Sequence, residues 1–153
     1  MIENLLKPES IFFDVEVPST SKTDAVKTVS KLCSTYGNVK EDTLLKIFMD
    51  REEVDSTGFG GGIAIPHAKI SGLKNPFVAI IRFKEPVDWD AIDDEPVKVA
   101  IALVMPSGDK NNLHLEVLAK LSRKLMDETF VQKLVNETTP QNLYDFMIKE
   151  LEG

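Results

Sequence analysis

The sequence predicts an α/β fold, a single-domain β-sheet covered by helices on both faces, and three observations predict it. Runs at 11–17, 63–65, 77–83 and 97–105 are short, rich in Val, Ile and Phe, and bounded by Pro or Gly, which is the composition of strands. Apolar residues at three- and four-residue steps occupy the segments before and after these runs, as amphipathic helices require. In the last run Val97, Val99, Ile101, Leu103 and Met105 line one face while Ala100, Ala102 and Val104 line most of the other, so both faces need cover.

The first helix is expected over 23–36, where Val26, Val29, Leu32, Cys33 and Tyr36 form the apolar stripe and Gly37 is a natural stop. Cys33 belongs to that stripe and reads as a buried packing thiol. A second helix spans 41–53, with Leu44, Ile47, Phe48 and Met49 inward and Arg51 in its last turn. Beyond Met105-Pro106-Ser107-Gly108 a third helix carries Leu113, Val117, Leu118, Leu121 and Leu125, with Asn111 or Asn112 placed to cap it. A fourth starts near Asp127 and buries Phe130, Val131 and Leu134. A fifth follows Thr139-Pro140, a cap residue with Pro at the first helical position, and buries Leu143, Phe146, Met147 and Leu151. Residues 1–10, before the first strand, are the one segment expected to be loose.

A length of 153 residues suits one domain, 1–153, and a hydrophobic content of 42% supplies it with a core. Lys and Arg number 18 against 25 Asp and Glu, a net charge of −7 that repels nucleic acid and anionic lipid, and no basic stripe overrides it. The single cysteine cannot close an intrachain disulfide, and the start MIENLLKPES lacks the features of a secretory signal. The longest apolar stretch, 99–105, is far short of the roughly 20 residues that cross a bilayer. A cytoplasmic protein without membrane insertion is expected, with a membrane-bound partner left open. Nothing in the helix patterns demands a partner helix, so a monomer is expected.

Only two histidines, His67 and His114, are available for imidazole chemistry near neutral pH. His67 follows Pro66 at the end of Gly62-Ile-Ala-Ile-Pro66, with Gly58, Gly60, Gly61 and Gly62 just upstream. Glycines in such number either make a tight turn or bring backbone N–H groups close to a small anion such as a phosphoryl group. The stretch is not a nucleotide loop, because it lacks the third glycine of GxGxxG and no Gly-Lys-Ser/Thr follows. His114 lies in the first turn of the third helix, beside its apolar stripe, where a boundary histidine is equally natural. Arg51 has a plain use as a cation at a helix C-terminus. Neither histidine has metal-ligand spacing and there is no CxxC, so no metal and no cofactor are expected. No GxSxG elbow supports a serine hydrolase. The acidic run Asp88–Glu95 reads as a solvated loop.

The stretch Arg51-Glu-Glu-Val-Asp-Ser-Thr-Gly-Phe-Gly-Gly-Gly-Ile-Ala-Ile-Pro-His67 resembles the signature of enzyme IIA of the bacterial phosphotransferase system, in its fructose/mannitol-type family. Pro86-Val-Asp-Trp89, Pro96-Val97, the strand ending Met105-Pro106 and His114-Leu-Glu-Val-Leu-Ala-Lys-Leu121 follow in family order, then Phe130 and Leu134. The likeness covers nearly the whole chain and leans toward the fructose-like branch through Asp88-Trp89 and the flanking Pro86 and Pro96.

The resemblance implies an α/β fold with a single-domain mixed β-sheet covered by helices on both faces. It also implies a phosphotransferase relay component, a phosphocarrier whose His67 takes a phosphoryl group from the histidine phosphocarrier protein HPr and gives it to a cysteine of the sugar-specific enzyme IIB. The ultimate donor is phosphoenolpyruvate, through enzyme I, and a membrane permease passes the sugar. It implies Nε2 as the phosphorylated nitrogen, with Nδ1 left to an orienting hydrogen bond, and it places Arg51 and His114 beside the site. Arg51 would grip phosphoryl oxygens through its fork, and His114 would support His67 or the phosphate. Ser56, Thr57 and Gly58 are candidate donors of a phosphate loop, the plain alternative being a turn. Phe59 departs from the usual aliphatic residue between the two glycines, and is expected either to rim a docking surface or to pack inward. Two other readings stay open: a regulatory, nitrogen-related enzyme IIA acting through protein binding, and a non-catalytic interaction module with an inert His67.

Overall fold

The computed structural model describes residues 2–108 and 112–152. Side-chain alternation in two long strands organises it. β5 (Phe77–Val87) and β6 (Val97–Pro106) pair antiparallel, with Ala79 opposite Ala102 and Ile80 opposite Ile101. Successive side chains of a strand point to opposite sides, and here they enter two different apolar clusters. Val78, Ile80, Val99, Ile101, Leu103 and Met105 join residues of α3 (Leu113–Lys124), α4 (Glu128–Asn136) and α5 (Pro140–Glu152). Ala79, Ile81, Ala100, Ala102 and Val104 join residues of α1 (Lys22–Gly37) and α2 (Glu41–Val54). Among the described residues the result is a mixed six-stranded sheet with five α-helices and two short 3-10 turns at Ile2–Asn4 and Pro8–Ser10.

The remaining strands extend this pair. β1 (Ile11–Val15) runs parallel to β5, with a break in register between Phe12 and Val15 where Asp14 takes a φ of 53°. On the other side, β3 (Ile63–Ala64) and β4 (His67–Ile70) both run parallel to β6, pairing Ile63 with Val99 and His67 with Leu103. The offset is the same in both, so they are one strand interrupted at Ile65-Pro66, where proline offers no N–H to the ladder. β2 (Gly58–Gly60) folds back antiparallel on β3.

Several expectations need correction. The strand over 63–65 continues past Pro66 to Ile70, and the glycine stretch contains the short strand β2. Val97 joins the α1/α2 cluster instead of the Val99 side, because both Lys98 N and Val99 N donate to Gly62 O (2.7 and 3.1 Å) and the alternation slips there. The start of the chain is not loose: Ile2, Leu5 and Leu6 are buried in the α3–α5 cluster, and Val78 N donates to Leu5 O at 3.0 Å. Asn112 stands at the N-cap position of α3 with φ 51° and makes no side-chain capping bond there, while Asn111 lies outside the described residues. Gly37 is needed for space, since a Cβ there would meet the Phe77 ring at 2.2 Å, and Asn38 takes the left-handed C-cap. Among the described residues no helix is long and apolar enough to cross a membrane.

Candidate functional site

The site lies where the end of α2, the β2–β3 hairpin and β4 converge. Ala68 and Ile70 side with the α1/α2 cluster, so alternation along β4 turns His67 the other way, in the same row as its partner Leu103. Leu118 and Ser122 of α3 line the cleft that His67 enters, about 720 Å³ in volume, with Phe59 and Ile92 at other walls. Phe59 also packs against the α3–α5 cluster, the inward of the two placements expected of it.

Both ring nitrogens of His67 are engaged. Nδ1 lies 3.0 Å from the carbonyl oxygen of Ile65, and Arg51 Nε donates to Nε2 at 2.9 Å. A guanidinium N–H can only donate to an unprotonated nitrogen, so this arrangement fixes the neutral tautomer with the proton on Nδ1, donated to Ile65 O. Burial is the main force that holds the His67 pKa below the ordinary imidazole value. Electrostatic repulsion from Arg51 and His114 pushes the same way, against the Ile65 bond and the Glu52 carboxylate, which favour the charged ring. A neutral imidazole with a directed Nε2 lone pair is a nucleophile that needs no separate base.

Arg51 reaches this position from the last turn of α2, where Nη1 also donates to Asp55 O at 2.7 Å. His114 is buried in the first turn of α3, four residues before Leu118. The structure thus joins Arg51 to His67 directly and sets His114 close enough to act on the charge of His67, though His114 is not among the residues that line the cleft.

The expected donors of the glycine stretch are placed differently. Ser56 Oγ donates to Trp89 O at 3.3 Å and accepts from Gly58 N at 3.1 Å. Thr57 donates through both N (3.0 Å) and Oγ1 to Glu52. Gly58 is a glycine because the chain passes close by: a Cβ there would sit 2.6 Å from Ala91 Cα. Gly60, Gly61 and Gly62 take left-handed φ values of 109°, 65° and 86° in the hairpin turn, and Gly61 N donates to Asp93 Oδ2 at 3.0 Å. In this arrangement the hydroxyls of Ser56 and Thr57 and the amides of Thr57, Gly58 and Gly61 bond within the protein, as the turn alternative requires. Asp93 in turn gives part of the acidic loop a structural use, its carboxyl held below the usual range by the backbone N–H groups of Gly61 and Glu95.

Glu52 is the residue sequence reasoning missed. It is buried beside Arg51, and its Oε1 receives Lys22 Nζ (2.8 Å), Thr57 N (3.0 Å) and Trp89 Nε1 (3.2 Å). The signal was present: Leu44, Phe48 and Glu52 fall at four-residue steps, so a carboxylate continues the buried stripe of α2. Among the described residues no group of three or more His, Cys, Asp and Glu is placed to hold a metal ion.

The fold and the cleft define a mixed α/β protein that presents one neutral imidazole, under an arginine, to the solvent edge of its sheet. Residues 4–150 match the family described as "Phosphoenolpyruvate-dependent sugar phosphotransferase system, EIIA 2", and the chain belongs to that family. It is 34% identical over 139 residues to the "PTS system fructose-specific EIIA component" of Haloferax volcanii, covering 90% of each chain. It is 31% identical over 153 residues to the "Nitrogen regulatory protein" of Pseudomonas aeruginosa, covering 99% of this chain and 97% of that one. Among solved structures, the Nitrogen Regulatory Protein IIA-Ntr from Neisseria meningitidis superposes with a TM-score of 0.84 at 30% identity, over 95% of this chain and 97% of that one.

Proposed function

We propose that this chain is a cytoplasmic phosphocarrier of the sugar phosphotransferase system, with Nε2 of His67 as the atom that carries the phosphoryl group. The observation that carries the reading is the pair of bonds on His67, Nδ1 to Ile65 O and Nε2 to Arg51 Nε, in a ring kept neutral. HPr in its phosphorylated form is the donor and a cysteine of enzyme IIB the acceptor. Arg51 Nε–H first leaves the Nε2 lone pair, which then forms the N–P bond as the donor's P–N bond breaks and its electron pair returns to the donor nitrogen. The proton stays on Nδ1, hydrogen-bonded to Ile65 O throughout, so the ring orientation is kept while charge moves onto the phosphoryl oxygens. The transition state spreads charge over three equatorial oxygens, and the fork of Arg51, released from Nε2, is the cation within reach of them. His114 supports the site from α3.

The sugar is proposed to be fructose-like, in line with the Haloferax volcanii relative. A regulatory role is the second reading, favoured by the similarity to the Neisseria meningitidis and Pseudomonas aeruginosa nitrogen regulatory proteins. Incubation with phosphoenolpyruvate, enzyme I and HPr, followed by intact-mass measurement, tests the relay. Wild type is expected to gain one phosphoryl group, His67→Ala none, and His114→Ala the same group more slowly. Failure of folded wild type to label, or labelling that persists in His67→Ala, overturns the proposal. Chase of the labelled protein with a fructose-type enzyme IIB then separates the readings: transfer to its cysteine supports transport, and retention of the label supports regulation.

A further inference from the structure

Resting on the phosphocarrier reading, we propose that Glu52 is a positioning residue of the site: its carboxylate, anchored by Lys22, ties the Arg51 turn, the Thr57 strand and the Trp89 loop into the arrangement that brings Arg51 onto His67. The argument is a closed ring of contacts. Glu52 accepts from Thr57 N and Thr57 Oγ1. Thr57 O in turn accepts from Ile65 N at 3.0 Å, and Ile65 O holds His67 Nδ1 at 3.0 Å. His67 Nε2 meets Arg51 Nε at 2.9 Å, and Arg51 is joined to Glu52 by the helix itself.

Two further links brace the ring from outside. Trp89 is fully buried and donates Nε1 to Glu52 Oε1 (3.2 Å) and to Thr57 Oγ1 (3.3 Å), which fixes the loop that supplies Asp90 and Ile92 to the cleft wall. Lys22, at the start of α1, closes the ion pair at 2.8 Å, and the adjoining segment is bound to the same loop by Asp88 N donating to Thr20 O at 2.8 Å. The side chain of Glu52 is only 3% exposed against 22% for Lys22, so the carboxylate sits at the centre and the ammonium at the rim. A buried carboxylate is expensive unless several donors meet it, and the four donors here each belong to a segment that borders the cleft or braces its wall.

Length and charge are separable by substitution. Glu52→Gln keeps the reach and one acceptor oxygen for Thr57 N and Trp89 Nε1, but loses the charge that pairs with Lys22 and turns the second oxygen into a donor facing Thr57 Oγ1. Glu52→Asp keeps the charge but is one methylene too short to meet Thr57 and Trp89 together. Turnover and KM are measured with phosphorylated HPr on variants shown by circular dichroism to be folded at the assay temperature. Ring-nitrogen NMR of unphosphorylated protein reports the His67 tautomer and needs no donor. Glu52→Gln is expected to stay within about threefold of wild-type turnover, and Glu52→Asp to lose tenfold or more with KM little changed, a size usual for small misplacement of a reacting group. The NMR signature is expected to keep the Nδ1–H tautomer in Glu52→Gln and to show mixed tautomers in Glu52→Asp.

A folded Glu52→Asp protein with turnover within twofold of wild type and an unchanged tautomer overturns the proposal. So does a loss in Glu52→Asp confined to thermal stability. If wild type takes no phosphoryl group from HPr, the phosphocarrier reading falls, and the tautomer measurement still decides for or against Glu52 as the residue that sets His67.

Discussion

The interior of β6 and the corner around Glu52 are both buried, yet they are held in opposite ways. From Val99 to Met105 seven consecutive residues are fully buried, and none carries a polar side chain. Each contributes through area and fit, without direction, so the ladder tolerates one apolar residue for another of similar volume. In the corner Glu52, Thr57 and Trp89 are also buried, but each is worth having only while its partner is in place. The ladder supplies stability that any sheet protein needs, and the corner spends part of it to hold Arg51 and His67 in register.

Ile101→Ala tests the first half of the contrast with the largest expected effect. Removing a fully buried isoleucine from the centre of β6 should cost about 2–5 kcal/mol, read as a lower urea midpoint. Below the transition the phosphoryl-acceptance rate should equal that of wild type. A slower rate in the folded variant would mean that ladder and corner are coupled and that the contrast fails.

Gly58→Ala should affect both properties, with a smaller stability loss of roughly 1–3 kcal/mol from overpacking. The added Cβ would stand 2.6 Å from Ala91 Cα and 2.8 Å from its Cβ, so the loop that carries Trp89 and Ile92 must move outward. Reduced turnover alongside the lower urea midpoint is the expected result. Stability lost with turnover intact would show that this wall of the cleft has no part in transfer.

The same contrast explains what could be read from the sequence. Period-two and period-3.6 patterns report apolar burial, and they placed all five helices and the strands β5 and β6 within a few residues. They failed where backbone bonds override side-chain pattern: β4 lies beyond a proline, β2 is almost wholly glycine, and Val97 follows a slip that only the double bond to Gly62 O reveals. The apolar start at Ile2, Leu5 and Leu6 is legible as apolar residues, but no period marks where such a short segment docks. At the site, His67 and Arg51 were visible as residue types in a recognisable string. The hydroxyls of Ser56 and Thr57 were not assignable, because a donor's direction depends on contacts with Glu52 and Trp89 that lie 5 to 33 positions away in the chain. Glu52 broke an apolar stripe at a helical position, and that is the form in which a buried charged anchor can be sought in a sequence.

Acid titration offers the smallest and most selective probe of the corner, because the ladder has nothing to protonate between pH 5 and 8. His67 is held below the ordinary imidazole value of about 6.5, chiefly by burial. In the interval between the folded and unfolded values the unfolded chain therefore binds more protons, and stability must rise with pH. The contribution of neutral His67 is complete above about pH 6.5 and is lost as the pH falls through the depressed folded value. His67→Gln removes this titration, so the stability of wild type relative to that variant should be flat above neutrality and decline on acidification. Phosphoryl acceptance should decline over the same lower interval, since a proton on Nε2 both removes the lone pair and expels Arg51 Nε from its 2.9 Å contact. Ile101→Ala should instead follow the wild-type pH profile at a constant displacement. If its profile changed shape, or if wild type and His67→Gln lost stability in parallel, the charge on His67 would not be set by the corner in which it sits.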